Sequence, residues 1–231
     1  MDTNNNHYAQ FTTYLEEFIT ESKKRRIATI LQERTRRVTI ILENIYQSHN
    51  ISAAVRSAEC FGVQDVHIIE NPAFKNYDAH NGITRGASEW ITIYRHESIT
   101  DCIAFLKERD YIIVATTPHH ELAGEKSFHQ LNTLPIDNKI ALLFGTEISG
   151  ISDDAIKQAD AFVSIPMYGF TESLNISVSV SICLYDISTR LHAQTENWQL
   201  SGSEQLELKY TWYKDIVKGS KVLEERFLAA Q

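Results

Sequence analysis

Short apolar and β-branched runs alternate along this chain with segments of helical spacing. Val38–Ile45, Val66–Ile69, Ile91–Tyr94, Tyr111–Ala115, Ile140–Phe144 and Phe162–Ile165 predict strands. The runs at 111–115 and 140–144 are uninterrupted, as in strands covered on both faces. Between them, Asn50 is expected to cap a helix reaching about Phe61, just ahead of Gly62. Ile99–Lys107 and Ser152–Ala159 read as further helices, the latter with an acidic first turn. Residues 8–33 predict one long helix with Phe11, Leu15, Phe18, Ile27, Ile30 and Leu31 on its apolar stripe. Residues 203–228 predict a C-terminal helical extension through Leu206, Leu208, Tyr210, Trp212, Tyr213, Val217, Leu223 and Phe227. Strands alternating with helices imply an α/β fold with a parallel sheet and right-handed crossovers. One segment resists this reading. Ile176, Val178, Val180 and Ile182 alternate with Ser177, Ser179, Ser181 and Cys183, which by period alone is a strand.

Composition narrows the class. With 231 residues, 43% hydrophobic and 23% charged, the chain can bury a full core. It carries no apolar run near the roughly 20 residues needed to cross a bilayer. Its polar N-terminus lacks a signal-peptide core, so a cytoplasmic location is expected. Cys60, Cys102 and Cys183 are far apart and form no CxxC pair, which argues against a zinc site or a disulfide framework. A net charge of −8 opposes nucleic-acid binding at first sight, but its distribution matters more. Between Lys23 and Arg37, seven basic residues (Lys23, Lys24, Arg25, Arg26, Arg34, Arg36 and Arg37) face one acid, Glu33. A polyanionic partner is as good a reading of that run as a solvated helix face.

Three segments place small polar residues at the heads of elements. They are Ser48–Arg56, Leu142–Gly150 and the stretch from Ile165-Pro166-Met167-Tyr168-Gly169 through Ser173-Leu174-Asn175 to Val180. The second follows a strand, at the edge where open α/β sheets bind ligands, and its Gly145 and Gly150 allow a sharp turn. With the Pro166–Gly169 loop it is expected to form two walls of a cofactor pocket. Neither GxGxxG after the first strand nor GxxxxGK[ST] occurs, which disfavours a dehydrogenase or P-loop NTPase. His119-His120-Glu121 is not HExxH, and no metal ligand set is expected.

In order and content these three segments resemble the signature motifs of the SpoU/TrmH family in the SPOUT superfamily, the knotted RNA 2′-O-methyltransferases. The likeness runs from about Arg25 to Arg190. It implies a parallel-sheet SPOUT fold with a C-terminal trefoil knot, a long helix over the ambiguous segment from residue 176 to about Arg190, and N- and C-terminal helical extensions. Residues 1–37, 38–195 and 196–231 are the corresponding regions. It implies S-adenosyl-L-methionine as cofactor, held by Gly145, Thr146, Ile165 and Leu174, mostly through backbone groups, with Thr117 close by. It also implies a catalytic group of Arg56, Asn50, Glu147, Ser173 and Asn175. Arg56 would fix a phosphate and stabilise a developing alkoxide, since a guanidinium gives up its proton reluctantly. Whether it is the formal base stays open. Asn175 and Ser173 could equally be plain helix caps. Lys23, Lys24, Arg25 and Arg26 would meet RNA, as would His49. tRNA is favoured over rRNA, at the D-loop guanosine 18, because those relatives carry only short helical extensions. The alternatives are an rRNA methyltransferase and a non-catalytic RNA-binding protein on the same fold. A homodimer with the site at the subunit boundary is expected, and no membrane partner. Two departures from the family pattern concern RNA contacts: the usual arginine pair near the end of the last helix is reduced to Arg190, and His119–Asn138 looks long.

Overall fold

The run Val38–Glu43, strand β1, is buried at all six positions, as a strand must be when it sits mid-sheet with helices on both faces. The computed structural model describes residues 3–69, 86–146, 149–194 and 198–229. Among these, β1 is joined by β2 (Asp65–Ile69), β3 (Thr92–His96), β4 (Tyr111–Thr116), β5 (Ser127–Gln130), β6 (Lys139–Phe144) and β7 (Ala161–Ser164). They form one sheet in the order β3-β2-β1-β6-β4-β7-β5, and every neighbouring pair is parallel. The central register sets Ile40 beside Leu142 and Leu142 beside Val114.

Side-chain alternation along the strands feeds two cores. On one face Ile40, Leu42 and Leu142 pack with Val55 of helix α3 (Ser48–Cys60) and with Val180, Leu184 and Ile187 of α6 (Ile176–Ala193). On the other, Ile41, Ile113 and Leu143 pack with Ile103 and Leu106 of α4 (Ile99–Lys107) and Ala155 of α5 (Asp153–Gln158). A polar link ties the second of these layers to the sheet. Buried Glu43, the last residue of β1, accepts hydrogen bonds from the Ser152 amide at 3.0 Å and the Ser152 hydroxyl at 2.6 Å. Ser152 in turn accepts from the Ala155 amide as the N-cap of α5. The start of α5 is thus tied to the end of the central strand.

Several expectations change. The period-two segment 176–183 is helix α6, as the resemblance implied. Asn50 is not the N-cap of α3: the helix begins at Ser48, after Gln47. The single helix expected over 8–33 is two, α1 (Thr3–Leu15) and α2 (Glu21–Gln32), because Ile19 takes extended backbone to bury its side chain and Thr20 restarts the helix. Phe18, placed on the apolar stripe, is half exposed. The C-terminal extension is likewise two helices, α7 (Gly202–Ile216) and α8 (Ser220–Ala229). Strand β5, inside the long 119–138 segment, was not anticipated.

The chain divides into two compact units: Thr35–Trp198 with the sheet, and a helical unit of the chain up to Arg34 with the chain from Gln199. In the helical unit Tyr8 stacks on Tyr210 at 4.3 Å and Phe11 meets Phe227 at 5.4 Å. The capping box of Ser201 and Glu204 starts α7. Arg34 is buried with its guanidinium 5.5 Å from the Trp212 ring centroid. Glu224 accepts from Lys214 at 2.6 Å, from Tyr210 and from His7. Burial alone would raise its carboxyl, but the hydrogen bonds of Lys214, Tyr210 and His7 outweigh burial and bring it down to about 2. A carboxyl held low when folded stabilises the native state above its unfolded value, and that contribution fades as pH falls toward the folded one. Glu224→Gln should therefore lower stability at pH 7 by on the order of 2 kcal/mol. In denaturation series the gap to the parent should close between about pH 4.5 and pH 2; a gap independent of pH would refute this.

Candidate cofactor and active site

All seven strands point the same way, so the loops after β4, β6 and β7 leave one edge of the sheet together. They enclose a cavity of about 510 Å³, within the about 300–1,000 Å³ typical of small-molecule sites. Every residue expected to hold a cofactor lines it: Thr117 after β4, Gly145 and Thr146 after β6, Ile165 after β7, and Leu174 ahead of α6.

The wall after β6 is a closed turn. Thr146 and Gly150 exchange backbone hydrogen bonds at 2.9 and 3.0 Å, and the Thr146 hydroxyl lies 2.7 Å from that of Ser149. Gly150 takes φ +66°, and a Cβ on Gly145 would come within 2.1 Å of the Gly150 carbonyl oxygen. Only glycine lets the turn fold back on the strand. The wall after β7 differs from expectation. Ile165, Met167 and Glu172–Leu174 face the cavity, while Gly169 is exposed, meets open space and does not line it. Thr117 is fixed by its amide to Val163 O at 3.0 Å, and its hydroxyl accepts from the His119 amide at 3.1 Å.

Beside the cavity two motifs meet directly. Asn175 caps α6 by accepting from the Ser177 amide at 2.9 Å, and its side-chain amide donates to Asn50 Oδ1 at 3.2 Å. Buried Asn50 donates to Gln47 at 3.2 Å. Capping and joining of the motifs are thus one arrangement at Asn175. Ser173 is exposed at the cavity edge. Arg56 and His49 are exposed on α3 and do not line the cavity of their own chain. Glu147 lies outside the described residues.

Of the basic run, Lys23, Arg25 and Arg26 are exposed on α2, whereas Lys24 is half-buried and paired with Glu21. The other three arginines serve the fold: Arg34 is buried, Arg36 pairs with Asp65 at 3.0 Å, and Arg37 donates to the carbonyls of Ile136 and Asp137. Arg190 is also structural, bonded to Asp186 at 2.7 Å and to the carbonyls of Leu134 and Leu131 at 2.7 and 3.0 Å. Met167, inside the expected Pro166–Gly169 wall, does line the cavity, whereas sequence reading missed Asp153 and Glu172. The acidic first turn of α5 was visible, but nothing in the spacing aimed it inward.

The donor set suits a mixed ligand. Phe144, Ile165, Leu174 and Ile176 give apolar surface, Thr117, Thr146 and Ser173 give hydroxyls, and Asp153 and Glu172 give negative charge for a cationic group. A family model described as the SpoU rRNA Methylase family matches residues 37–185. The chain belongs to that SpoU family. A curated relative, the tRNA (guanosine(18)-2′-O)-methyltransferase of Borreliella burgdorferi, is 40% identical over 211 residues, spanning 91% of this chain and 93% of its own. The A. aeolicus TrmH/SpoU tRNA modifying enzyme is similar in structure, with TM-score 0.72 and 28% identity over 86% of this chain and 98% of its own. The SpoU methyltransferase AviRb of Streptomyces viridochromogenes, solved in complex with AdoMet, shares the fold at TM-score 0.58 and 19% identity, over 71% of this chain and 64% of its own.

If the SpoU cavity depends on the closed turn, Gly145→Ala should cost about 1–3 kcal/mol through forced displacement of residues 150–151, while Gly169→Ala should be nearly neutral. Thermal melts of the two variants compare them, and equal losses would contradict this account of the turn.

Proposed function

We propose that the chain is an S-adenosyl-L-methionine-dependent 2′-O-methyltransferase of tRNA, acting on guanosine 18. One observation carries the reading: a strand-end cavity closed by the Gly145–Gly150 turn lies beside the Asn50–Asn175 link, in a SpoU family chain. The tRNA reading is favoured over the rRNA one, despite the family's description, because the relative aligned along 91% of the chain is named for tRNA.

S-adenosyl-L-methionine, when bound, supplies a methyl group on a cationic sulfonium. Gly145, Thr146, Ile165, Leu174 and Thr117 would hold it, with Asp153 and Glu172 offsetting positive charge. Displacement at such a methyl is helped mainly by alignment and exclusion of water, which the residues around the strand ends provide. Asn50 and Asn175 hold the starts of α3 and α6 in fixed relation, and Ser173 and Glu147 shape the site around the ribose. Arg56 fixes a substrate phosphate and offsets the charge growing on the 2′-oxygen, a task for a planar, permanently charged fork. Its exposure outside its own chain's cavity supports a homodimer in which it serves the partner's site. The exposed apolar stripe Val178, Ile182 and Tyr185 on α6 supports that helix as the contact. We assign a trefoil knot to the loops that precede α6, on family membership. Lys23, Lys24, Arg25, Arg26 and His49 meet tRNA, and residues 1–37 and 196–231 serve as its helical extensions. We place the protein in the cytoplasm, the compartment of unmodified tRNA.

Incubation with labelled methyl donor and unmodified tRNA, followed by ribose-methylation mapping, should put label at guanosine 18; label confined to rRNA fragments would overturn the tRNA assignment. Arg56→Ala should lower turnover by about 10²–10³-fold with donor affinity unchanged by calorimetry, and full turnover would remove Arg56 from the mechanism. Replacing Lys23, Arg25 and Arg26 together by Gln should flatten the log–log salt dependence of tRNA binding by roughly 0.9 for each phosphate no longer neutralised, and an unchanged slope would exclude α2 as an RNA-facing surface.

A further inference from the structure

Away from the cavity, three residues from three elements converge on the α4 face of the sheet. His67 of β2 and His96 of β3 lie on the same side, since His67 registers with Tyr94, two residues before His96. His67 Nδ1 and His96 Nε2 are 2.9 Å apart, and buried Cys102 of α4 brings its Sγ so that all three ligand atoms lie within 4.8 Å of one another. Sequence spacing gave no hint of this set, because each ligand comes from a different element.

We propose that His67, His96 and Cys102 form a binding site for a borderline-soft divalent cation, zinc being the natural occupant. Two imidazoles and a thiolate are the donors zinc prefers. Two ring nitrogens facing each other at 2.9 Å share one proton, and the lone pairs that hold it are those a metal would use. Bonds of about 2.0–2.1 Å to nitrogen and 2.3 Å to sulfur place tetrahedral ligands roughly 3.4–3.6 Å apart. The rings would separate by a few tenths of an ångström and the sulfur would close by at most about 1.2 Å. On binding, the shared proton moves to the far nitrogen of the ring that carries it, and the Cys102 thiol releases its proton to solvent. Both metal–nitrogen bonds and the metal–sulfur bond then form with no change of oxidation state.

The surroundings agree with this assignment. Burial disfavours the charged form of both imidazoles, the direction that ligation by neutral rings requires. The His67 ring is held by stacking on Tyr94 at 4.9 Å, with Phe105 at 5.7 Å. Half-buried His96 leaves a path for the ion from solvent. Burial first, and then the Glu43 carboxylate, push the Cys102 thiol up to about 12, so the thiolate forms only with the cation in place, while Asp101 favours positive charge beside His96. A bound ion would clamp β2, the edge strand β3 and α4 together.

The test is cobalt(II) titration of the full chain after chelator dialysis. One equivalent should give intense tetrahedral visible bands and a near-ultraviolet thiolate-to-cobalt band. Cys102→Ser should lose the near-ultraviolet band, Cys60→Ser and Cys183→Ser should keep it, and His96→Ala should weaken binding at least 100-fold. Circular dichroism and melting checks that each variant is folded, and zinc should raise the melting temperature of the parent but not of His96→Ala. Weak octahedral bands in the parent, a charge-transfer band surviving in Cys102→Ser, or parent-like affinity in His96→Ala would each overturn the site. None of these readouts involves methyl transfer, so they stand or fall apart from the proposed activity.

Discussion

Parallel pairing of the central strands is the constraint on which the rest depends. Because β1, β6, β4 and β7 run the same way, their C-terminal ends share one edge, and the chain must leave each strand there. Backbone groups at that edge have finished their ladder and need turns, caps or ligands. The Thr146–Gly150 pair, the Thr117–Val163 bond and the Asn175 cap are three local answers to that need. Together they leave a ligand-sized cavity lined by both polar and apolar groups. The site is therefore a consequence of sheet direction plus a few small residues.

Much of the sheet was legible because its central strands are apolar on both faces, and burial on both faces leaves little room for polar residues. Strand β5, Ser127-Phe128-His129-Gln130, was not, because an edge strand with one partner needs no apolar run. Segment 176–183 misled for a definable reason. On α6 one stripe, Ile176, Val180 and Leu184, faces the core, while a second, Val178 and Ile182, is partly exposed. Two i, i+4 stripes offset by two residues mimic the alternation of a strand. The serines between them suit close helix packing, as the 2.7 Å contact of Ser57 and Ser181 between α3 and α6 shows. Only the family resemblance resolved that ambiguity from sequence.

The same distinction applies to the site. Glycines and a helix-capping asparagine signal backbone geometry, so Gly145 and Asn175 could be singled out from the residues themselves, while Thr146, Ile165 and Leu174 came from the family resemblance. Asp153 and Glu172 could not, because an exposed acid in the sequence carries no mark of the cavity it borders. The basic run presents fewer free cations folded than its sequence suggests. Of seven basic residues between Lys23 and Arg37, three arginines are spent inside the fold and one lysine is paired. The exposed remainder of this run, Lys23, Arg25 and Arg26, is a smaller positive surface on an acidic chain.

The central claim is that strand-end loops of the sheet form the methyl-donor cradle. A crystal structure of the protein soaked with S-adenosyl-L-methionine tests it most directly. Density for the donor is expected between Gly145, Ile165 and Leu174, contacting backbone groups of Thr146 and Gly150. A donor bound elsewhere, or that space closed by side chains with no donor bound, would contradict it.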